Sequence, residues 1–77
     1  MNEKPLVRVG PKRRSFWVDC HRVDANDLEL LSTNSSFEVV DGDIDYDHEI
    51  IFFNDSRSDK KIIKEIEDHI KSCQKAQ

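Results

Sequence analysis

The stretch FEVVDGDIDYDHEIIFF, residues 37–53, decides the fold. Two runs with apolar residues at every second position flank Asp41-Gly42, and Asp-Gly is a favoured two-residue hairpin turn because both central positions accept a positive φ. With that turn at the tip, Glu38 lies opposite Asp45, the large apolar residues share one face and the acidic residues share the other. The stretch therefore predicts an antiparallel hairpin with strands at residues 36–40 and 43–53.

Three further strands are predicted before this hairpin. Apolar and polar residues alternate in the second of them, the first and third are short apolar segments, and turns that contain Gly, Pro, Asp or Asn separate them. These strands are expected at residues 6–9, 15–23 and 28–31.

The C-terminal segment predicts an amphipathic helix over residues 59–75, because its isoleucines form one stripe at helical spacing. The hairpin ends in EIIFF, which is apolar on both faces, so we expect this helix to cover Ile51 and Phe53. Residues 1–77 are then one small α+β domain, because the chain is near the lower size limit for a self-sufficient core. The predicted architecture is an antiparallel β-meander of about five strands, as a curled sheet or a partly open barrel, followed by one C-terminal helix.

Charge is segregated along the chain. Residues 1–22 hold six Lys or Arg and two acidic residues, a net charge of +4, whereas residues 23–56 hold ten acidic residues and no Lys or Arg, a net charge of −10. Residues 57–77 hold six bases and four acids, a net charge of +2. Such asymmetry bears on partners and association rates. Two outcomes are open: the acidic middle meets a basic partner, or it pairs with the basic ends of its own chain.

The composition favours a cytoplasmic protein. No apolar run approaches the roughly 18 residues of a membrane span, and MNEKPLVRV lacks the long apolar segment of a signal peptide. Cys20 and Cys73 are too few for a secreted disulfide framework, so both are expected to be reduced thiols.

We also expect that the protein is not an enzyme, because the chain has neither a Gly-rich phosphate loop nor a serine nucleophile motif.

Two sets of residues resemble metal ligands, and neither is predicted to form a metal site. Asp41, Asp43 and Asp45 match the first three ligands of an EF-hand loop, but Tyr46 and Phe52 stand where that loop needs Gly and Glu.

A zinc site is the other alternative, and its candidate ligands are Cys20, His21, His69 and Cys73. Adjacent strand residues point to opposite faces, so only one of the first two can join the helical pair. Cys20 also alternates with core residues and Cys73 lies in the isoleucine stripe of the helix, so both are expected to be small core residues, and we expect no metal and no cofactor.

The leading hypothesis is a small non-enzymatic interaction module that docks on a protein with a basic surface. It uses an acidic hairpin face, and an apolar anchor must add affinity because exposed charges mainly steer encounter. Candidate anchors are Tyr46, Leu31 and Trp17. The candidate partner-binding residues are Glu38, Asp43, Asp45, Tyr46, Asp47 and Glu49. An inhibitor, an immunity-type protein, a phage-type modulator or an adaptor would fit.

Two alternatives come from other functional classes. A nucleic-acid binder would use clustered bases beside an aromatic side chain to hold phosphates and stack bases. Its candidate residues are Arg8, Lys12, Arg13, Arg14 and Trp17. An accessory subunit of a larger assembly would instead join its partner by strand pairing along EIIFF.

Overall fold

The structure, a computed structural model, describes residues 5–43, 45–54 and 56–75. The four strands are β1 at Val7–Val9, β2 at Ser15–Val18, β3 at Phe37–Val40 and β4 at His48–Phe52. The helical elements are a 3₁₀ turn at Ala25–Leu28, the short helix α1 at Glu29–Ser32 that continues it, and α2 at Asp59–Lys75. The predicted α+β class and the C-terminal helix are confirmed, with four strands rather than about five.

The strands form one open sheet in the order β1-β2-β4-β3, and each neighbouring pair is antiparallel. β4 therefore lies inside the sheet, while β1 and β3 lie at its edges. The expectation that EIIFF offers an edge for strand pairing is wrong, because β2 and β3 already pair with both sides of this segment.

Residues 28–31, predicted as a strand, are helical. Asp27 accepts a hydrogen bond from the Asp24 N–H (3.2 Å) and returns one from its own N–H to the Asp24 carbonyl (3.0 Å), which starts a helical turn. Leu28 and Leu31, three residues apart, are both buried, whereas Leu30 is exposed. This spacing is that of one helix face rather than of alternating strand faces.

The predicted hairpin register is wrong. Glu38 pairs with Ile51, six residues beyond the predicted partner Asp45, and residues 41–43 and 45–47 belong to a loop instead of a two-residue turn with flanking strands. Because six is an even number, the shift keeps the same side chains on the same face of the sheet.

All four strands are shorter than predicted, β1 and β3 by one residue and β2 and β4 by several. β2 ends at Val18 because the Asp19 carbonyl accepts the N–H groups of Arg22 and Val23 and turns the chain (3.2 and 3.1 Å). β4 begins at His48 because Asp47, directly before it, belongs to the loop that connects β3 and β4.

Gly42 is needed in this loop for close packing rather than for a turn with positive φ. Its φ is not positive, and a Cβ at this position would overlap the Tyr46 carbonyl oxygen and the backbone of Asp47. The tight type I′ turn that Asp-Gly favours is therefore replaced by a loop that folds back on itself.

The core lies between one face of the sheet, the 3₁₀ turn with α1, and α2. Its buried apolar residues are Val7, Phe16, Val18, Val23, Leu28, Leu31, Phe37, Ile50, Phe52, Ile62, Ile66 and Ile70. The expectation that α2 covers Ile51 and Phe53 is wrong: the helix packs on the face that holds Ile50 and Phe52, and Phe53 is 60 % exposed. The other face of the sheet has no layer over it in the described ranges.

Candidate functional site: the acidic loop and the open sheet face

The loop at residues 41–43 and 45–47, called the acidic loop below, is shaped by its own side chains. The Asp43 carboxylate accepts hydrogen bonds from the N–H groups of Asp45 (2.8 Å) and Tyr46 (3.2 Å). The Asp43 N–H in turn donates to the Tyr46 carbonyl (2.9 Å). These bonds form an Asx turn that links Asp43 to Asp45 and Tyr46.

His48 fixes the start of the acidic loop to the core. Its side chain is only 4 % exposed; Nδ1 accepts the Gly42 N–H (2.7 Å), and Nε2 lies 2.8 Å from the Val23 carbonyl oxygen. A carbonyl can only accept, so Nε2 carries the proton and the imidazole is the neutral Nε2–H tautomer. His48 thus joins three segments: the loop, β4 and the turn after β2.

Asp47 fixes the other end of the loop. One carboxylate oxygen lies 2.8 Å from an Arg8 nitrogen, and the other accepts the Cys20 N–H (3.3 Å). Partial burial works to raise the pKa of Asp47, but the hydrogen bonds and charge of Arg8, with the Cys20 N–H, outweigh it and lower the pKa below its usual value. Loss of solvent and the carboxylates of Asp47 and Asp19 raise the pKa of the Cys20 thiol.

The residues of the predicted acidic hairpin face occupy three different environments. Asp43, Asp45 and Tyr46 are exposed in the acidic loop, and Glu38 is exposed on β3. Asp47 is half-buried against Arg8. They do not form the row of strand carboxylates that the two-residue turn predicts, and their role in partner binding stays a prediction.

Glu49 lies on the open face of the sheet and is only 8 % exposed. It stands between Trp17 on β2 and Val40 on β3, and one carboxylate oxygen lies 3.6 Å from the Lys12 ammonium. The other oxygen, Oε2, is buried without a hydrogen-bond partner in the described part of the chain. An unpartnered buried oxygen of this kind costs stability.

The basic N-terminal residues are largely engaged with carboxylates. Arg8 pairs with Asp47, Lys12 approaches Glu49, and Arg14 binds Asp59 at 2.6 Å. Arg14 also donates to the carbonyl groups of Asn54 and Arg57. Internal pairing with the acidic middle, one of the two outcomes left open by the charge pattern, therefore holds for Arg8 and Lys12, whereas Arg14 pairs with α2.

Of the three predicted anchors, Tyr46 is the most accessible. Its side chain is 70 % exposed, whereas Leu31 is buried and Trp17 is half-buried. Tyr46 and Trp17 line a shallow depression of about 220 Å³ together with Arg8, Asp45 and Asp47. Residues predicted for two rival functions therefore meet at one place.

The potential metal ligands do not converge on a convincing site. In the described ranges, one group of three ligating side chains lies together, Asp19, Cys20 and Asp47, with ligand atoms within 4.8 Å of one another. Arg8 already neutralises Asp47, and the raised pKa of Cys20 disfavours the thiolate that binds metals.

The helical pair of the zinc alternative, His69 and Cys73, does meet, with Nε2 and Sγ 3.7 Å apart. Neither Cys20 nor His21 joins this pair among the residues that the structure describes.

His48 is the structural residue that the sequence analysis missed. It alternates in phase with Ile50 and Phe52, so its position on the core face was available from the sequence. Its partners, Gly42 and Val23, depend on the loop and on a distant turn, and no local pattern indicates them.

No described helix is both long and apolar enough to cross a membrane. No protein-family model, no curated protein and no solved structure matches this chain.

Proposed function

We propose that this protein is a small, non-enzymatic interaction module whose acidic loop docks on a basic surface of a partner protein. The observation that carries this proposal is the position of Tyr46, which is 70 % exposed at the tip of the acidic loop. Aromatic residues are enriched among those that contribute most to binding. Tyr46 supplies the anchor that a charged surface lacks by itself.

Exposed carboxylates surround this anchor. Asp41, Asp43 and Asp45 are exposed, and none of them takes part in an ion pair within the ranges that the structure describes. By contrast, Asp47 and Glu49 have basic neighbours on their own chain. The first three carboxylates, with the exposed Glu38 on β3, are therefore left to steer a basic partner and set its orientation.

The hydrogen bonds and the ion pair of the described loop residues support the same proposal. The Asx turn at Asp43 holds the tip, while His48 and Arg8 hold its two ends. A loop ordered before binding loses less conformational entropy on association than a disordered one. The module can then bind its partner with little rearrangement.

Nucleic-acid binding through the N-terminal bases remains the alternative proposal, with less support from the geometry. Arg8, Lys12 and Arg14 each lie near a carboxylate that a phosphate would have to displace. Titration of a labelled single-stranded oligonucleotide at two salt concentrations separates the proposals. Binding with a steep salt dependence and quenching of Trp17 would favour the alternative.

The direct test is affinity capture followed by titration of the purified partner. Wild-type protein is compared with Tyr46→Ala and with the double variant Asp43→Asn/Asp45→Asn, which keeps the Asx-turn acceptor and removes both charges. The matched control removes two charges from α2, Glu67→Gln/Asp68→Asn. We expect each loop variant to weaken binding at least about tenfold, equivalent to about 1.4 kcal/mol. Equal binding by loop and control variants would overturn the proposal.

A further inference from the structure

The outer edge of β3 has unpaired backbone groups at Val39. The Phe53 N–H donates to the Ser36 carbonyl (2.9 Å), which makes residues 36 and 53 a hydrogen-bonded pair. Such pairs alternate along an antiparallel ladder, so Glu38 and Val40 bond to β4 while Val39 turns its N–H and carbonyl away from it. No other hydrogen bond to these two groups is present in the described residues.

A cleft of about 330 Å³ lies beside this edge. Its walls are the 3₁₀ turn with α1 on one side and β3 with the start of the acidic loop on the other. The lining residues include Leu28 and Val39, which are apolar, and Glu29 and Asp41, which are acidic. The edge therefore offers main-chain hydrogen bonds next to space for side chains, the two elements of recognition by strand addition.

The two edges of the sheet differ in how well they are protected. β1 is three residues long, and Pro5 and Pro11, flanking it closely, limit strand pairing. β3 is four residues long and has no proline near it. Of the two sheet edges, β3 is therefore the one at which a partner strand can pair more easily.

The acidic residues around β3 indicate which charge a partner strand must carry. Glu38, on β3 itself, is exposed, as are Glu29 and Asp41 at the cleft. Residues 23–56 contain ten acidic residues and no Lys or Arg. A second copy of β3 would bring like charges together, whereas an extended segment with Lys or Arg at alternate positions can place them all on the cleft side, beside Glu29 and Asp41.

We infer that β3 accepts an extended basic segment of a partner protein as a fifth strand of the sheet, with its main chain bonded to Val39 and its side chains beside the cleft. This inference rests on the proposed function, since it specifies how a basic partner binds next to the acidic loop.

Amide hydrogen exchange measured by NMR tests the inference on the full chain. The probe is an eight-residue peptide that alternates arginine with valine or threonine, and the control peptide replaces each arginine with glutamate. At one hundred times the dissociation constant, the basic peptide slows exchange of the Val39 amide by up to about 100-fold. The amides of Glu38 and Val40 act as internal controls, because β4 already protects them in the free protein.

A variant adds a second measurement. Val39→Pro removes the N–H that the added strand needs, while Val39→Ala keeps it; we expect the first to weaken peptide binding at least tenfold more than the second. Unaltered exchange at Val39 with millimolar basic peptide would overturn the inference, and so would equal protection of Val39 by the acidic peptide. Protection of Val39 by self-association of the protein without any peptide would also overturn it.

The two proposals fail separately. If a captured partner depends on Tyr46 but leaves Val39 exchange unchanged, strand addition is wrong and the proposed function stands. If the basic peptide protects Val39 but the Tyr46, Asp43 and Asp45 substitutions leave partner binding unchanged, the strand edge binds peptide and the loop proposal is wrong.

Discussion

Replacement of His48 by leucine tests the geometry on which the acidic loop depends. The substitution keeps an apolar side chain of similar size on the core face but removes both ring nitrogens. The Gly42 N–H and the Val23 carbonyl then lose their partners. Val23 is 2 % exposed and Gly42 is half-buried, so water replaces the lost bonds poorly at the first and in part at the second.

The expected cost follows from these two groups. An unsatisfied buried backbone group costs about 1–3 kcal/mol, so we expect His48→Leu to lower the free energy of unfolding by about 2–4 kcal/mol. A chain of 77 residues has about 4–12 kcal/mol of stability in total, at roughly 0.05–0.15 kcal/mol per residue. The midpoint temperature should fall by roughly 8–32 °C, at about 4–8 °C per kcal/mol for a domain of this size.

Urea denaturation followed by fluorescence of Trp17, the single tryptophan, measures this difference. His21→Leu is the matched control, because the His21 side chain is exposed and should change stability by less than about 0.5 kcal/mol. If His48→Leu is as stable as His21→Leu, then His48 does not hold the loop and the described loop geometry is wrong.

Three further predictions test the register and the open face. Phe52→Ala should lower the free energy of unfolding by about 3–5 kcal/mol in urea denaturation, and Phe53→Ala by less than about 1 kcal/mol; equal losses would contradict the assignment of the covered face. Because the pKa of Asp47 is lowered in the fold, its contribution to stability is present above the unfolded value of about 3.9 and is lost as pH falls through the folded pKa. Arg8→Gln should therefore reduce stability at pH 7 and flatten its fall below about pH 4, compared with the exposed control Lys64→Gln; parallel pH profiles would count against the ion pair. Glu49→Val should raise the free energy of unfolding by about 1 kcal/mol, since it removes the unpartnered Oε2 between Trp17 and Val40, and a loss of stability would show that Lys12 stabilises the carboxylate.

Local patterns were sufficient for much of the fold. The isoleucine stripe predicts α2 because its spacing is set by the helix itself and needs no knowledge of the neighbours. Alternation also places Ile50 and Phe52 on the buried face, and that assignment survives the register error because the shift is even.

The errors arise where tertiary contacts outweigh local preference. Asp41-Gly42 favours a two-residue turn, but the buried His48, six residues after Gly42, accepts the Gly42 N–H. This hydrogen bond stabilises a longer loop instead. At residues 28–31 the apolar run is too short to separate strand from helix, and burial of Leu28 and Leu31 against the core decides for the helix.

The sequence predicts which residues belong to the candidate site but not how they are arranged in space. The sequence identifies the acidic and the basic sets, and Tyr46 among the possible anchors. The pairing of Arg8 with Asp47 joins residues 39 positions apart (47 minus 8), which depends on the order of the strands in the sheet. Which carboxylates remain unpaired therefore follows only from the fold.

The central claim is that the acidic loop forms the contact with a basic partner, and NMR chemical-shift mapping tests it most directly. Isotope-labelled protein is titrated with the purified partner from the capture experiment. We predict that the largest shifts fall on the described residues of the acidic loop, with Tyr46 among them, and that they diminish at high salt. Largest shifts on Lys12, Arg13 and Arg14, or on α2, with an unchanged acidic loop, would contradict the claim.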